Sequence, residues 1–201
     1  MGVVLVREYA TPSVARAEVL RYAGVCGDAP GLDRILDACL VEVADRLHCR
    51  VCYCEVPVTR YAALLDLGFL QTCSASLAKN LTGCTRAVAF AATLGLELDR
   101  LIARYATLSP TKALLLQAIG AATVEAVCDA FARELAEDAA KMGCVLRPRF
   151  SPGYGDLPLE TQRAFFALLD PPRRIGLTLN ESLLMSPTKS VTALIGIGAR
   201  D

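Results

Sequence analysis

Two stretches of the chain carry side chains that could do chemistry. One is Arg147-Pro-Arg149-Phe-Ser151-Pro-Gly153-Tyr154-Gly155. Its prolines fix φ and remove N–H donors, and its glycines admit backbone angles closed to other residues. Such a segment is a rigid loop holding out two guanidinium forks and a phenol. A rigid loop can take up a small anionic or zwitterionic ligand without first having to order itself. The plainer reading is a helix-to-strand linker with solvated arginines. The other stretch is His48-Cys49-Arg-Val-Cys52-Tyr-Cys54. Its CxxC pair, third thiol and imidazole are four donors of the kind a structural zinc or iron–sulfur site uses. The plainer reading is a strand, with Val51, Tyr53 and Glu55 facing one way and Cys52, Cys54 and Val56 the other. The sequence holds no second CxxC to complete a knuckle.

A third candidate is a single carboxylate. Leu114, Ala118, Ala121, Glu125, Cys128, Ala132 and Leu135 fall on one stripe at helical spacing. A carboxylate on a face of small and apolar groups needs a cationic partner, either a protein arginine or a ligand ammonium. The bland alternative is a glutamate at the edge of that face, reaching water.

Composition narrows the remaining chemistry. The chain has 201 residues, 54% of them apolar, and a formal net charge of zero. That length supports one domain with a sizeable core, or two small ones. Without a basic cluster, nucleic acid is not an expected partner. Charged residues interrupt every apolar run, so buried helices are expected rather than membrane spans. The N-terminus lacks the features of a signal peptide, which makes the cytoplasm the expected compartment. Nine cysteines without a secretion signal argue for buried thiols rather than a disulfide framework. The single histidine, His48, leaves little room for histidine-based triads or multi-histidine metal sites. The sequence has no GxGxxG, P-loop or nucleophile elbow.

The elements that must position these groups follow from periodicity and punctuation. Residues 3–9 read as a strand. Pro12 and Ser13 open a helix through Tyr22, and 24–31 is a loop. Residues 32–47 form an amphipathic helix with Leu32, Ile35, Leu36, Cys39, Leu40 and Val43 inward. Short helices are predicted over 61–67 and 74–81, around a loop at Gly68. A turn at 80–84 leads to a buried strand from Ala87 that ends in a loop at 93–95, and to a helix over 96–105. Ser109-Pro110 then starts a helix that runs to Met142, stops at Gly143 and offers Gly120 as a place to bend. Unbroken, it would span roughly 45–50 Å. A helix over 157–169 is stopped by Pro171-Pro172, and strands follow over 175–179 and 190–197.

The C-terminal run as a whole reads Arg149-Phe-Ser-Pro152-Gly153-Tyr154, then Gly176-Leu-Thr-Leu179-Asn-Glu181-Ser182, then Met185-Ser-Pro187, then Ser190-Val191. It resembles the reactivation domain of cobalamin-dependent methionine synthase. That domain carries an R-x-x-P-G-Y loop, a G-x-x-L-T-E-S strand and an M-x-P-x-x-S-V-S turn in this order. The resemblance covers the last third of the chain well, the Glu125 helix plausibly and the first hundred residues loosely. It departs at Gly155, where the family has proline, and at Asn180 and Thr192, where it has threonine and serine.

The resemblance implies an α+β fold, helices packed on a twisted, mostly antiparallel sheet, as one domain over residues 1–201. It implies that the loop binds S-adenosylmethionine, with Arg149 holding the ligand carboxylate. Ser151, Gly153 and Tyr154 would line the adenosyl and methionyl groups, and Glu125 would stand near the ligand. No side chain is expected to act as a catalytic acid or base. The implied role is reductive methylation of a cobalamin that has fallen into its inactive state. The cobalamin would be carried by a partner methionine synthase or corrinoid protein, since the chain has no D-x-H-x-x-G motif. An electron would come from a flavodoxin- or ferredoxin-like donor, and the chain would be a stand-alone version of a module usually fused to its methyltransferase. Two readings compete with this. One is a cysteine-based metal or redox protein using Cys49, Cys52 and Cys54. The other is a partner-binding module that keeps the fold without the ligand.

Overall fold

The computed structural model describes residues 2–25 and 31–199. Strand β1 (Leu5–Tyr9) opens the chain. Ala15 stays extended (φ −67°, ψ 135°), so helix α1 is Arg16–Tyr22, starting four residues after Pro12. Thr11 meanwhile donates its hydroxyl to the Ala44 carbonyl (3.2 Å). Most of the expected 24–31 loop lies outside the described residues. Helix α2 (Leu32–Val43) buries Leu36, Cys39 and Val43, the predicted face. It ends short of Leu47, where the chain turns so that the His48 amide meets the Leu94 carbonyl (2.8 Å).

Strand β2 (Cys49–Pro57) follows. The helix expected over 61–67 is instead a hairpin, β3 (Thr59–Tyr61) and β4 (Leu64–Asp66), extended by β5 (Gln71–Thr72). Ala62 turns the chain at φ 52°, and Leu65 and Leu67 are buried at the two-residue period of a strand. Helix α3 (Ala75–Asn80) starts where Ser74 Oγ accepts the Leu77 amide (3.1 Å). Strand β6 (Cys84–Thr93) and helix α4 (Glu97–Leu108) lead into α5 (Pro110–Lys141), 32 residues without a break. Proline opens α5, although the preceding Ser109 hydroxyl makes no cap bond, and Gly143 at φ 69° follows its end. Gly120 is a contact point rather than a hinge. A Cβ there would lie 2.5 Å from Leu98 Cδ2 and 2.9 Å from Lys189 Cγ.

The inward face of α5 is also shifted from the predicted stripe. Leu115, Ile119, Phe131 and Leu135 dominate it, because the large side chains set the orientation. Leu114 is exposed and Glu125 sits at the border. The helix is long and apolar enough to cross a membrane. Here its apolar face packs on the sheet and on α1, α2 and α4.

Strand β7 (Cys144–Leu146) precedes the Arg149 loop, and a 3₁₀ turn at Leu159–Thr161 leads into α6 (Gln162–Leu169). Asp170 (φ 46°) ends α6. Pro171-Pro172 then opens a new helix, α7 (Pro171–Ile175), because proline needs no donor at a first helical position. The strand expected over 175–179 is therefore cut to β8 (Thr178–Leu179), which pairs with β9 (Met185–Ser186). Strand β10 (Ser190–Ala199) closes the fold.

The main sheet has the order β1-β2-β6-β10-β7 and is antiparallel throughout, with Tyr53 opposite Phe90 and Phe90 opposite Ala193. Apolar on both faces, the C-terminal strands are expected to lie centrally; β10 does, whereas β8 pairs only with β9, outside this sheet. One face packs Val51, Phe90 and Ile195 on the long helices. The other packs Cys52, Ala89 and Leu194 on the hairpin, α3, α6 and α7. The result is the mixed α+β fold that the resemblance implied.

Candidate functional site

The loop begins where the edge strand leaves the sheet. Leu146 pairs with Ile197, and the Arg147 amide donates to the Gly196 carbonyl (2.8 Å). Phe150 next exchanges both backbone bonds with Leu194 (2.9 and 2.8 Å). From Arg147 to Phe150 the chain advances three residues, while its partner advances two. That extra residue is a β-bulge, and Pro148, which has no N–H to donate, sits in it. The Asn80 amide group meets the Pro148 carbonyl (3.1 Å).

The bulge decides where the arginines point. Phe150 turns to the face of α6 and joins its apolar cluster. Arg149 consequently faces α5. Its Nη2 is 2.9 Å from Glu125 Oε2 and 2.9 Å from Asp129 Oδ1. Arg147 lies on the other side and donates to the Thr82 carbonyl (3.0 Å). Glu125 is thus paired to a protein arginine, the first of the two partners its position called for. Cys128, between the two carboxylates in sequence, is buried, and burial pushes its thiol up to about 12.

Beyond Phe150 the loop folds on itself. The Tyr154 amide donates to Ser151 O (3.1 Å) and the Gly153 amide to Leu157 O (2.9 Å). Gly153 and Gly155 take φ of 82° and 58°, angles that suit glycine. Pro152 is buried, whereas Tyr154 is 69% exposed and meets Phe150 edge-on at 5.4 Å. Asp156 then reaches α3. It accepts from Ala75 N (2.7 Å), Ser76 N (3.1 Å) and the Ser74 hydroxyl. Those donors hold its carboxyl down at about 2, with the Ser74 hydroxyl as the main cause.

Between loop and helix runs a groove of roughly 650 Å³, lined by Ser76, Asn80, Arg147, Arg149, Phe150 and Tyr154 among others. Three lining residues carry buried polar atoms without a partner: Asn80 Oδ1, Arg147 Nε and Arg149 Nη1. Elsewhere only Arg50 Nε and Gln162 Oε1 are so placed among the described residues. Unpartnered buried polar atoms are uncommon in folded proteins. Their concentration here puts two guanidinium groups and one amide around a single groove, each with a polar atom that is shielded and unbonded.

Glu125, Arg149, Ser151, Gly153 and Tyr154 therefore lie in or beside one structure. Arg149 and Tyr154 line the groove, Glu125 grips Arg149 from behind, and Ser151 and Gly153 form the turn. Sequence reasoning missed Asp129, although its spacing of four from Glu125 puts both on one helical face. It also missed Asn80 and Asp156, whose partners lie 68 and about 80 residues away, so no local signal existed.

The cysteine stretch does not assemble. Cys49 packs with the long helices, while Cys52 and Cys54 point to the opposite face of the sheet. Residues three apart in a strand cannot share a metal. Burial also raises all three thiols, Cys52 to about 12. His48 is exposed and lines a separate depression with Glu8, Tyr9 and Arg50. Among the described residues no group of three or more metal-binding side chains converges.

The fold has a solved counterpart. It matches a crystal structure of the MetH reactivation domain bound to AdoHcy with a TM-score of 0.69. The match covers 96% of this chain and 78% of that one, at 18% identity. No curated protein matches the chain. A family model described as vitamin B12 dependent methionine synthase, activation domain, matches residues 73–199, from just before α3 to the end of β10 and including every part of the groove. The chain belongs to the activation-domain family of vitamin B12-dependent methionine synthase.

Proposed function

We propose that the groove binds S-adenosylmethionine and that the chain serves the reductive methylation of cobalamin held by a partner protein. The observation that carries this reading is the set of unpartnered polar atoms. A methionyl group presents a carboxylate and an ammonium on one carbon. Arg149 and Arg147 line the groove with guanidinium groups whose Nη1 and Nε lack a partner, and a small side-chain rotation would turn them to a carboxylate; Asn80 Oδ1 would turn to an ammonium in the same way. Glu125 and Asp129 hold Arg149 by Nη2, and Nη1 has no hydrogen-bond partner. They also add negative charge where an ammonium and a sulfonium would need it. Tyr154 offers an exposed ring for an adenine to lie against. The AdoHcy bound by the matched reactivation domain shares this adenosyl and amino-acid chemistry.

Bound S-adenosylmethionine would supply a sulfonium methyl group, with the partner's cobalamin as the acceptor substrate and a flavodoxin- or ferredoxin-like protein as the electron source. The transfer is a displacement at carbon. The chain is asked to bind, orient and exclude water rather than to move a proton.

Calorimetric titration with S-adenosylmethionine tests the reading, run on the wild type and on Arg149→Ala. Saturable binding by the wild type is expected. The variant should bind about ten- to a hundredfold more weakly, the usual loss for a hydrogen bond to a charged group. Its circular dichroism should stay unchanged. Absence of wild-type binding, with AdoHcy also failing to bind, would overturn the reading and leave partner capture as the role of the fold.

A further inference from the structure

We propose that Asp156 is a positioning residue that fixes the Arg149–Gly155 loop against α3, so that the two walls of the groove stand at the spacing the ligand needs. The inference rests on the reading of this groove as the S-adenosylmethionine site. It starts from how the loop is suspended. At its first end Phe150 is tied to Leu194 of β10 by two backbone bonds. At its second end the anchor is the Asp156 carboxylate on the first turn of α3. Ser151 to Gly155 hang between these two points, and Tyr154 is two residues from the second.

The anchor needs a carboxylate. Two amides at the start of α3 have no partner within the helix, and the Ser74 hydroxyl points to the same place. One Asp156 oxygen takes the Ala75 amide, and the other takes the Ser76 amide and the hydroxyl. Ser74 Oγ in turn accepts the Leu77 amide (3.1 Å), so loop, cap and helix form one chain of bonds. Asparagine has a single acceptor oxygen and would set its NH₂ against a donor. The contact is also close. A Cβ on Gly155 would lie 2.9 Å from Ser76 Oγ, so the loop rests directly on the helix turn that Asp156 holds.

The consequence reaches the groove because α3 is its other wall. Ser76 and Asn80 on α3 face Phe150 and Tyr154 on the loop across the same 650 Å³ space. Asp156 sets the distance between them at the loop's far end, as the Asn80 bond to the Pro148 carbonyl does at its near end. Without Asp156 the loop keeps its internal turn but loses its place relative to Arg149 and Asn80.

The test titrates S-adenosylmethionine into the full chain carrying Asp156→Ala or Asp156→Asn, beside the wild type. Hydrogen exchange of the amides at 75–77 and 151–157 is followed without ligand. The alanine variant is expected to bind roughly tenfold more weakly, as for a loop that is competent about a tenth of the time. Its loop amides should exchange faster, and the asparagine variant should fall between the two in both readouts. Should the alanine variant fail to fold, the asparagine variant decides by the same measurements. A residue serving stability alone would lower the unfolding midpoint without moving affinity measured well below it. Wild-type affinity and wild-type exchange in the variants would overturn the inference while leaving the ligand reading intact. Failure of the wild type itself to bind would take down the ligand reading, and this inference with it.

Discussion

The two faces of the sheet are built on different principles. On one, α5 presents a continuous apolar surface to β2, β6 and β10, centred on Phe131 against Tyr53 (5.0 Å) and Phe90 (5.1 Å). Its stability is a sum of many non-directional contacts. On the other face α3, α6 and α7 are 6, 8 and 5 residues long, too short to hold shape by themselves. They too bury apolar side chains, Leu77, Phe165 and Ile175 among them, but α3 is placed in addition by individual hydrogen bonds, from Ala75 to Asp156 and from Asn80 to the Pro148 carbonyl. The groove lies at the edge where β7 peels away, and there a side chain of the loop, Arg149, reaches back to α5. A bulky core sets the frame, and a few directional bonds set the working surface upon it.

Three measurements can break or sharpen this contrast. The largest effect is expected on the helical face. Phe131→Ala should lower stability by about 3–5 kcal/mol in urea unfolding with an unchanged m-value. A loss below about 1 kcal/mol would deny that face its role as the main store of stability. Ser74→Ala on the other face should cost about 1 kcal/mol, the usual value of a helix cap. A loss as large as that of Phe131→Ala would erase the distinction. The smallest effect is an acid dependence. Asp156 is held at about 2 against an ordinary carboxyl near 3.8, so its contribution is complete above that ordinary value and lost as pH falls through 2. The difference in unfolding midpoint between the wild type and Asp156→Asn should therefore shrink between about pH 5 and pH 2. A difference that stays constant would mean that the carboxylate charge contributes nothing.

The same contrast explains what could be read from the sequence. Helices α2 and α5 and strands β2, β6 and β10 follow from hydrophobic period and from Pro110 and Gly143, since burial on a large scale leaves a periodic trace. The alternation of Cys52, Cys54 and Val56 with Val51 and Tyr53 also read correctly as a strand. The hairpin at 59–66 and the helix opened by Pro171 differ from the expectation, because each depends on a single residue at positive φ: Ala62, whose type disfavours that angle, and Asp170, whose type allows it but equally suits an ordinary helix end. At the site, the Arg149 loop was legible because proline and glycine mark a rigid turn. The bulge that aims Arg149 at α5 was not, because it exists only in the register against Leu194 and Gly196. Nothing in the sequence marks Asp156, since its three donors belong to a part of the chain about 80 residues earlier.

Strand β10 carries one more consequence, for how the molecule comes into being. It lies between β6 and β7 in the sheet and pairs directly with both. Residues near 90 thus wait for residues near 190 before the ladder can close. At typical translation rates of about 5–20 residues per second, that wait lasts on the order of 5–20 s. Throughout it β6, apolar on both faces, offers an open edge to any passing strand. Over that interval the nascent chain is therefore a template for mispairing, and chaperone capture is expected until β10 is made. A ribosome-stalled chain ending before Ser190 should be cut by protease within β6, and the released chain should resist.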